Sequence, residues 1–445
     1  MDNNILIYIV SLGCDKNRID TEHMLGILAG SNAAIVDAPE DADVIIVNTC
    51  GFIDDAKRES IDVILEMAQY KQNGAPALIV TGCLAQRYAK ELSEELPEVD
   101  AFLGVNAYSN LLDAIKHVLE GKRYVCCDRL DGDMEGRVLT TPSHLAYVRI
   151  ADGCSNSCSY CAIPRIRGPL KSRPMKSVLK EIEDLRAGGV SEAVLVAQDT
   201  TRYGEDLGKR ELPRLIDEAA AIMQGGWLRV MYCYPEGITD ELIDVMLRHD
   251  NICRYLDIPM QHFSDEVLKA MHRRHTRNGS VALTKALHDK GFVLRTSLIV
   301  GFPGETQDDF DILLDTIKEI RFERLGVFRY SAEEGTAAAK MSGQIDDDTK
   351  QERYEKVMAV QAGISDAYNE TLTGQTVRVM IDGTDESGLL TGRTMGQAPQ
   401  VDGVTYISVS ADAHVADAKK DLTPGTFHDV LITKANEYDL LGELK

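Results

Sequence analysis

Between residues 5 and 330, short runs rich in Ile and Val alternate with amphipathic stretches, and this alternation limits the possible folds more than any other feature of the chain. Residues 5–10, 44–47 and 78–80 read as buried strands, and amphipathic stretches such as 59–70 and 87–96 follow them. The pattern predicts an α/β fold opening with a doubly wound parallel sheet, whose ligands gather beyond the strand carboxyl ends. Residues 146–150, 193–197, 228–232, 255–259, 294–300 and 325–330 continue as further strands, with helices such as 177–187, 240–247 and 308–320 between them. Successive β/α units of this kind predict a full or partial barrel with its site at the strand carboxyl ends. A helix started by Asp346 to Thr349 runs towards Leu372. Beyond it, residues 376–381, 388–393, 404–409 and 427–435 alternate apolar with polar side chains, which predicts a small all-β barrel of OB-like form. The expected domains are residues 1–127, 140–370 and 371–445, with an acidic, Gly-bearing linker over 128–142.

Cys154, Cys158 and Cys161 directly follow the first strand of the middle segment, spaced C-x3-C-x2-C. A [4Fe–4S] cube has four irons, so three thiolates leave one iron open to a small molecule, which suggests catalysis and not simple electron transfer. A structural zinc site normally wants a fourth Cys or His, and the upstream His144 reads as a linker residue on the wrong side of a strand. Cys14, Cys50 and Cys83 each follow a strand of the first sheet, and each has a glycine beside it. Adjacent parallel strands would bring these thiols to one rim, and the glycines would let the backbone approach a bulky ligand. The plainer alternative is a set of buried thiols, but matching placement at three strand ends favours a second cluster, again with an open iron. Cys126, Cys127, Cys233 and Cys253 show no ligand spacing and read as structural.

The chain carries 48 basic against 71 acidic residues, a net charge of −23, which disfavours a generic binder of nucleic acid or anionic membranes. No apolar run approaches membrane-spanning length, and the start lacks the basic region of a secretory signal. A cytoplasmic protein is expected, in which ten cysteines serve as metal ligands or buried thiols before disulfides.

Residues 153–164, with six β/α units behind them, resemble the radical S-adenosylmethionine (SAM) enzymes. With the three cysteine-bearing strand ends in front and the β-barrel behind, essentially the whole chain resembles the methylthiotransferases of that superfamily. The resemblance implies that Cys154, Cys158 and Cys161 hold the cluster whose open iron chelates SAM, and that Cys14, Cys50 and Cys83 hold an auxiliary cluster presenting sulfur. It also implies that the last barrel is a TRAM domain and that the Gly-rich segment with Gly301 and Glu305 lines the adenosine site; Tyr160 beside the cysteines, and Gln198, Asp199, Gln261 and His262 at strand ends, are further SAM-pocket candidates. Each has a plainer reading: Gln198 and Asp199 could cap a helix, and 299–305 could be only a strand-to-helix turn. His262 has no evident acid partner and is not expected to be a general base.

Residues 11–17, 198–204 and 330–336 resemble the branch of the family that modifies a ribosomal protein, more than the branch that modifies tRNA. Residues 371–445 hold six Lys or Arg against eleven Asp or Glu, a net of −5. A barrel that clamps RNA should be basic, whereas an acidic one suits a basic protein, so direct RNA binding is not expected to dominate. The resemblance thus implies methylthiolation of the β-carbon of an aspartate in a small-ribosomal-subunit protein, using two SAM and two [4Fe–4S] clusters. A low-potential electron donor of flavodoxin or ferredoxin type and a sulfur donor complete the expected partners. The alternatives are a tRNA adenosine methylthiotransferase and a non-catalytic iron–sulfur carrier.

Overall fold

In β1 (Ile5–Ser11), β3 (Val44–Thr49) and β4 (Ala77–Gly82), successive apolar side chains point to opposite faces, and both faces are covered. Ile7, Val44, Ile46 and Ile79 pack on Met24 and Leu28 of α1 (Asp15–Ala29) and on Leu111, Ile115 and Val118 of α4 (Leu111–Leu119). Ile45, Val47, Leu78 and Val80 pack on Ile64 and Met67 of α2 (Asp54–Ala68) and on Leu84 and Leu92 of α3 (Cys83–Glu95). This two-sided burial is why the strands read as unbroken apolar runs. The computed structural model describes residues 4–71, 75–128, 136–409 and 422–445, so part of the expected linker, 129–135, lies outside the described residues. The sheet is parallel, in the order β2-β1-β3-β4-β5-β6. It includes β2 (Ala33–Ile35), β5 (Ala101–Leu103) and β6 (Tyr124–Cys126), which are too short to show a period in sequence.

β7 (Leu145–Arg149) leads into an antiparallel clip of β8 (Ala151–Asp152) and β9 (Lys171–Ser172), which closes the cysteine loop and α5 (Ile163–Ile166). β7 pairs with β10 (Glu192–Val196), and β10 with β11 (Trp227–Val230). β12 (Tyr255–Asp257), β13 (Val293–Val300) and β14 (Arg324–Arg329) form a second parallel set, joined to the first by a bridge from Leu228 to Ile252. The result is a partial barrel of six parallel strands in chain order. α6 (Met175–Ala187), α7 (Leu212–Ile222), α8 (Asp240–Arg248), α9 (Asp265–Ala270), α10 (Arg277–His288) and α11 (Gln307–Ile320) connect the strands, and Ile182, Ile216, Met246 and Leu313 belong to one continuous core with them.

α12 (Asp347–Glu370) starts where the Asp346 carboxylate accepts from the Thr349 amide at 2.8 Å. Near its start Arg353 donates to Glu305 at 2.9 Å. Near its end Ser365 and Asn369 accept from Arg324 at 3.0 and 2.9 Å, and Asn369 donates to the Asn436 carbonyl at 2.8 Å. The last segment closes as a barrel, β15-β16-β17-β19-β18, from β15 (Thr376–Thr384), β16 (Leu390–Thr394), β17 (Thr405–Ser408), β18 (Phe427–Ala435) and β19 (Leu440–Leu444), the last not foreseen in the sequence.

This small barrel docks on the amino ends of the middle strands through the first residues of β10, β11 and β12. Glu192 accepts from Arg229 and from Arg393, each at 2.7 Å. Trp227 meets Phe427 edge-on at 4.9 Å, and the Tyr255 hydroxyl donates to Asp402 at 2.8 Å. His144 is not a plain linker residue: it is buried, and its Nε2 lies 2.9 Å from Asp382, which also pairs with Arg393 at 2.7 Å. Among the described residues no helix is long and apolar enough to cross a membrane. Arg393→Ala would strip a partner from buried Glu192 and from half-buried Asp382, and chemical denaturation is expected to show a loss of about 3–5 kcal/mol.

Candidate functional site

Cys14 follows β1, Cys50 directly follows β3 and Cys83 opens α3 directly after β4; these three strands are neighbours, so the thiols share one rim of the sheet. Asn17 staples that rim, donating to the carbonyl oxygens of Leu12 at 2.5 Å and Thr49 at 3.3 Å, while Asn48 returns a bond to the Asn17 carbonyl at 2.8 Å. Ser60 fixes Cys50 from both sides, accepting from its amide at 3.1 Å and donating to its carbonyl at 2.9 Å. The adjoining glycines do something other than expected, because their open sides are filled by protein. A Cβ on Gly13 would lie 2.8 Å from the Cβ of Cys50, and one on Gly82 would lie 2.5 Å from the Thr49 carbonyl oxygen. Both also have left-handed φ, +90° and +94°, so glycine lets the strand ends approach one another.

The second triplet sits on a loop folded back on itself. The Cys154 amide donates to the Gly168 carbonyl at 3.0 Å, and a Cβ on Gly153 would meet the Pro169 carbonyl oxygen. Ser159 ties the loop to the end of α9, donating its amide to the Met271 carbonyl at 3.1 Å and its hydroxyl to the Ala270 carbonyl at 2.7 Å. Cys158 Sγ lies 3.7 Å from the Tyr234 hydroxyl and 4.0 Å from Nη1 of Arg273, whose guanidinium stacks over the Tyr234 ring at 4.1 Å. Local sequence gave no sign of Tyr234 or Arg273, since both arrive from later β/α units.

All six cysteines are free thiols. Burial pushes the Cys83 thiol up to about 12, and burial with the neighbouring Cys158 pushes Cys161 up to about 12. Such thiols become thiolates when a metal supplies the missing positive charge. Among the described residues no three His, Cys, Asp or Glu side chains stand close enough to share one metal ion. Zinc would require sulfurs about 3.8 Å apart, given Zn–S bonds of about 2.3 Å. Thiolates bound to separate irons of a cube stand farther apart, and three thiolates on one rim or one loop are the donor set such a cluster takes.

The two triplets are joined through charge. Arg167, which follows α5, donates through Nη2 to Asp20 at 2.7 Å and towards Cys83 Sγ at 3.7 Å. Its Nη1 reaches Asp152 at 3.3 Å, and Arg149 of β7 completes the pairing with Asp20. Burial alone would raise the Asp152 carboxyl, but Arg167 and Arg149 hold it well below the usual carboxylate range. A second tie crosses from the end of β14: Glu333 accepts from Lys57 at 3.0 Å and from Arg87 at 2.7 Å, and Arg87 also donates to the Gly51 carbonyl at 3.0 Å. Lys16, beside the first triplet, stays charged: burial pulls its pKa down, but Asp15, Tyr232 and Cys14 together more than offset this and raise it.

The residues expected to line a SAM pocket fall into two groups. Gln198 donates to Asp152 at 3.2 Å. Asp199 accepts from Asn156 of the cysteine loop at 2.7 Å and caps a short turn by accepting from the Thr201 amide at 3.0 Å. The cap is therefore real, and it also sets the loop. Tyr160 packs with Met271, Phe302 and Ala338, which brings the loop to the 301–305 turn. Gly301 has φ +73° and its open side faces Lys350, while Glu305 is buried, accepting from the Phe302 amide and from Arg353 at 2.9 Å each. Gln261 carries φ 71° four residues beyond β12, and Tyr232 carries φ 60° two residues beyond β11; such strain in residues with a Cβ concentrates at functional sites. His262 does have an acid near it, Glu305 at 4.0 Å, although burial pushes its pKa down to about 3 and keeps it neutral.

A partial barrel with a three-cysteine loop after its first strand defines a radical SAM enzyme. Residues 148–317 match the Radical SAM superfamily, residues 6–104 match the uncharacterized protein family UPF0004, and residues 373–444 match the TRAM domain. The chain is 48% identical to the ribosomal protein uS12 methylthiotransferase RimO of Desulforamulus reducens, over 98% of this chain and 99% of that one. It is 46% identical to the RimO of Lachnoclostridium phytofermentans, with 98% and 99% covered. The radical SAM methyltransferase TsrM of Kitasatospora setae shares the fold, with a TM-score of 0.54 at 14% identity over 73% of each chain. The chain belongs to the radical SAM methylthiotransferase family, and within it to the RimO type. Its cofactors are SAM and [4Fe–4S].

Two outcomes test this geometry. Asp20→Asn weakens the pairing of two buried guanidiniums, and denaturant titration should show about 3–5 kcal/mol less stability. For His262, the folded pKa lies below the unfolded one, so stability is lost as pH falls below about 6.5. Urea titrations at pH 7 and pH 5 should show that gap shrink by about 2 kcal/mol in His262→Gln, since each pKa unit is worth about 1.4 kcal/mol.

Proposed function

We propose that the chain methylthiolates the β-carbon of an aspartate in ribosomal protein uS12, using two molecules of SAM and two [4Fe–4S] clusters. The observation that carries this reading is the reach of Arg167, from just beyond the Cys161 loop, to Cys83 of the other triplet at 3.7 Å. It links the two triplets through one buried guanidinium, which supports a reaction needing both hydrogen abstraction and a sulfur source. The relatives' names supply the substrate, uS12. The target C–H bond has no useful acidity, so the hard step belongs to the cofactors. When bound, SAM and the clusters would supply radical hydrogen abstraction and a methylated sulfur.

The chain's own residues then bind, orient and shield. Cys154, Cys158 and Cys161 hold the loop cluster, and Cys14, Cys50 and Cys83 hold the auxiliary one. Arg273 and Tyr234 cover Cys158, which limits water there. Asp199 sets the loop through Asn156, and Gln198, Gln261, Tyr160 and the Gly301–Glu305 turn shape the surroundings of SAM. Residues 1–127 form the methylthiotransferase domain, 140–370 the radical SAM domain and 371–445 the TRAM domain. A cytoplasmic setting, a low-potential electron donor of flavodoxin or ferredoxin type and a sulfur donor complete the reading.

Mass spectrometry of ribosomal proteins and tRNA from cells with and without the gene should find the methylthio group on uS12 and lost without the gene; a change confined to tRNA overturns the reading. With purified protein, Cys158→Ala should abolish release of 5′-deoxyadenosine. Cys50→Ala should keep that release and lose methylthio transfer, and full product from this variant would overturn the auxiliary role.

A further inference from the structure

A reaction at the β-carbon of an aspartate needs that side chain held still, and its carboxylate is the one charged handle it offers. At the rim of the first triplet, Lys16 has donor capacity to spare among the described residues. Lys16 lies two residues beyond Cys14 on the first turn of α1, with its side chain 10% exposed. Its ammonium stands 3.4 Å from the centroid of the Tyr232 ring, and Tyr232 sits two residues beyond the carboxyl end of β11 with a left-handed backbone. The ammonium therefore occupies the seam between the auxiliary rim and the barrel mouth.

An ammonium has three N–H donors. Among the described residues Lys16 makes one hydrogen bond, to Asp15 Oδ1 at 3.1 Å. Asp15 also accepts from the Tyr232 hydroxyl at 3.3 Å, and its buried Oδ2 has no partner. Idle donors on a buried charge are costly, so a fold that keeps them has a use for them. Other cations near the two triplets are engaged: Arg167 by Asp20 and Asp152, Lys57 and Arg87 by Glu333, and Arg273 by the Pro259 carbonyl at 2.6 Å.

We propose that Lys16 binds the carboxylate of the substrate aspartate and holds its β-carbon between the two cysteine triplets. This rests on the aspartate reading above. Asp15 anchors the ammonium from one side, the Tyr232 ring takes another, and the remaining donor is left for the incoming carboxylate. The seam thereby distinguishes an acidic residue from its amide, because only the acid brings the charge that a desolvated ammonium rewards.

The test uses the reconstituted full chain with uS12, and with uS12 whose modified aspartate is replaced by asparagine. Lys16→Met, which keeps length and loses charge, should raise KM and the calorimetric Kd for uS12 about 10- to 100-fold, with a smaller change in kcat. It should also lose the preference of the wild type for the aspartate protein over the asparagine one, and Lys16→Arg should restore part of both. A purely structural Lys16 would give a lower melting temperature with KM, Kd and preference unchanged, which overturns the inference alone. If wild-type protein makes no product on aspartate-bearing uS12, the aspartate reading falls and the inference falls with it.

Discussion

One carboxylate, that of Asp20, accepts from Arg149 on the first barrel strand and from Arg167 just beyond the cysteine loop. Asp20 lies on α1, six residues after Cys14, and Arg167 lies six residues after Cys161. Each triplet is thus tied to the same buried charge through a short, stiff piece of chain. In a low-dielectric interior such a network is stable only when every member is satisfied, so it tolerates one relative placement of the two domains and penalises others. The Glu333 tie to Lys57 and Arg87 acts from the opposite side of the first sheet's rim, and the two ties together leave little freedom to rotate.

The partial barrel consequently has two ends with different duties. Its carboxyl end faces the first sheet, through residues such as Tyr232 and Glu333, and carries the cysteine loop. Its amino end is used for docking the small barrel through Glu192, Trp227 and Tyr255. Charge has to be read with this division in mind. Asp382 and Asp402 count towards the acidity of the last segment, but they are committed to His144, Arg393 and Tyr255 at the docking face. The other acids of that segment remain the part of the charge argument that bears on a basic partner.

Much of this was legible in the sequence because the relevant signals are local. The long strands β1, β3 and β4 declare themselves by apolar runs, and the cysteines by their position after strands. β2, β5 and β6 were not legible, since three residues cannot display a period, and β19 was not because Gly442 interrupts its alternation. Arg167, Arg273, Tyr234 and Asp20 escaped for a different reason: each matters through a partner distant in the chain, as Arg167 does for Cys83. The glycines beside the cysteines were noticed, but what fills their open sides is tertiary, so their purpose was misread. The cap formed by Asp199 shows the converse, a local motif that also acts at a distance through Asn156.

The 24 residues of α12 span about 36 Å at 1.5 Å per residue, from the turn beside the cysteine loop to the small barrel. Arg353 fastens one end to Glu305, and Asn369 fastens the other to Asn436. The helix is therefore a ruler with a phase as well as a length. One inserted residue would turn its far end by about 100° as it lengthened it, so the two fastenings could no longer be made together. Chains built on this plan can vary freely in surface loops while the residue count between those two contacts stays constant.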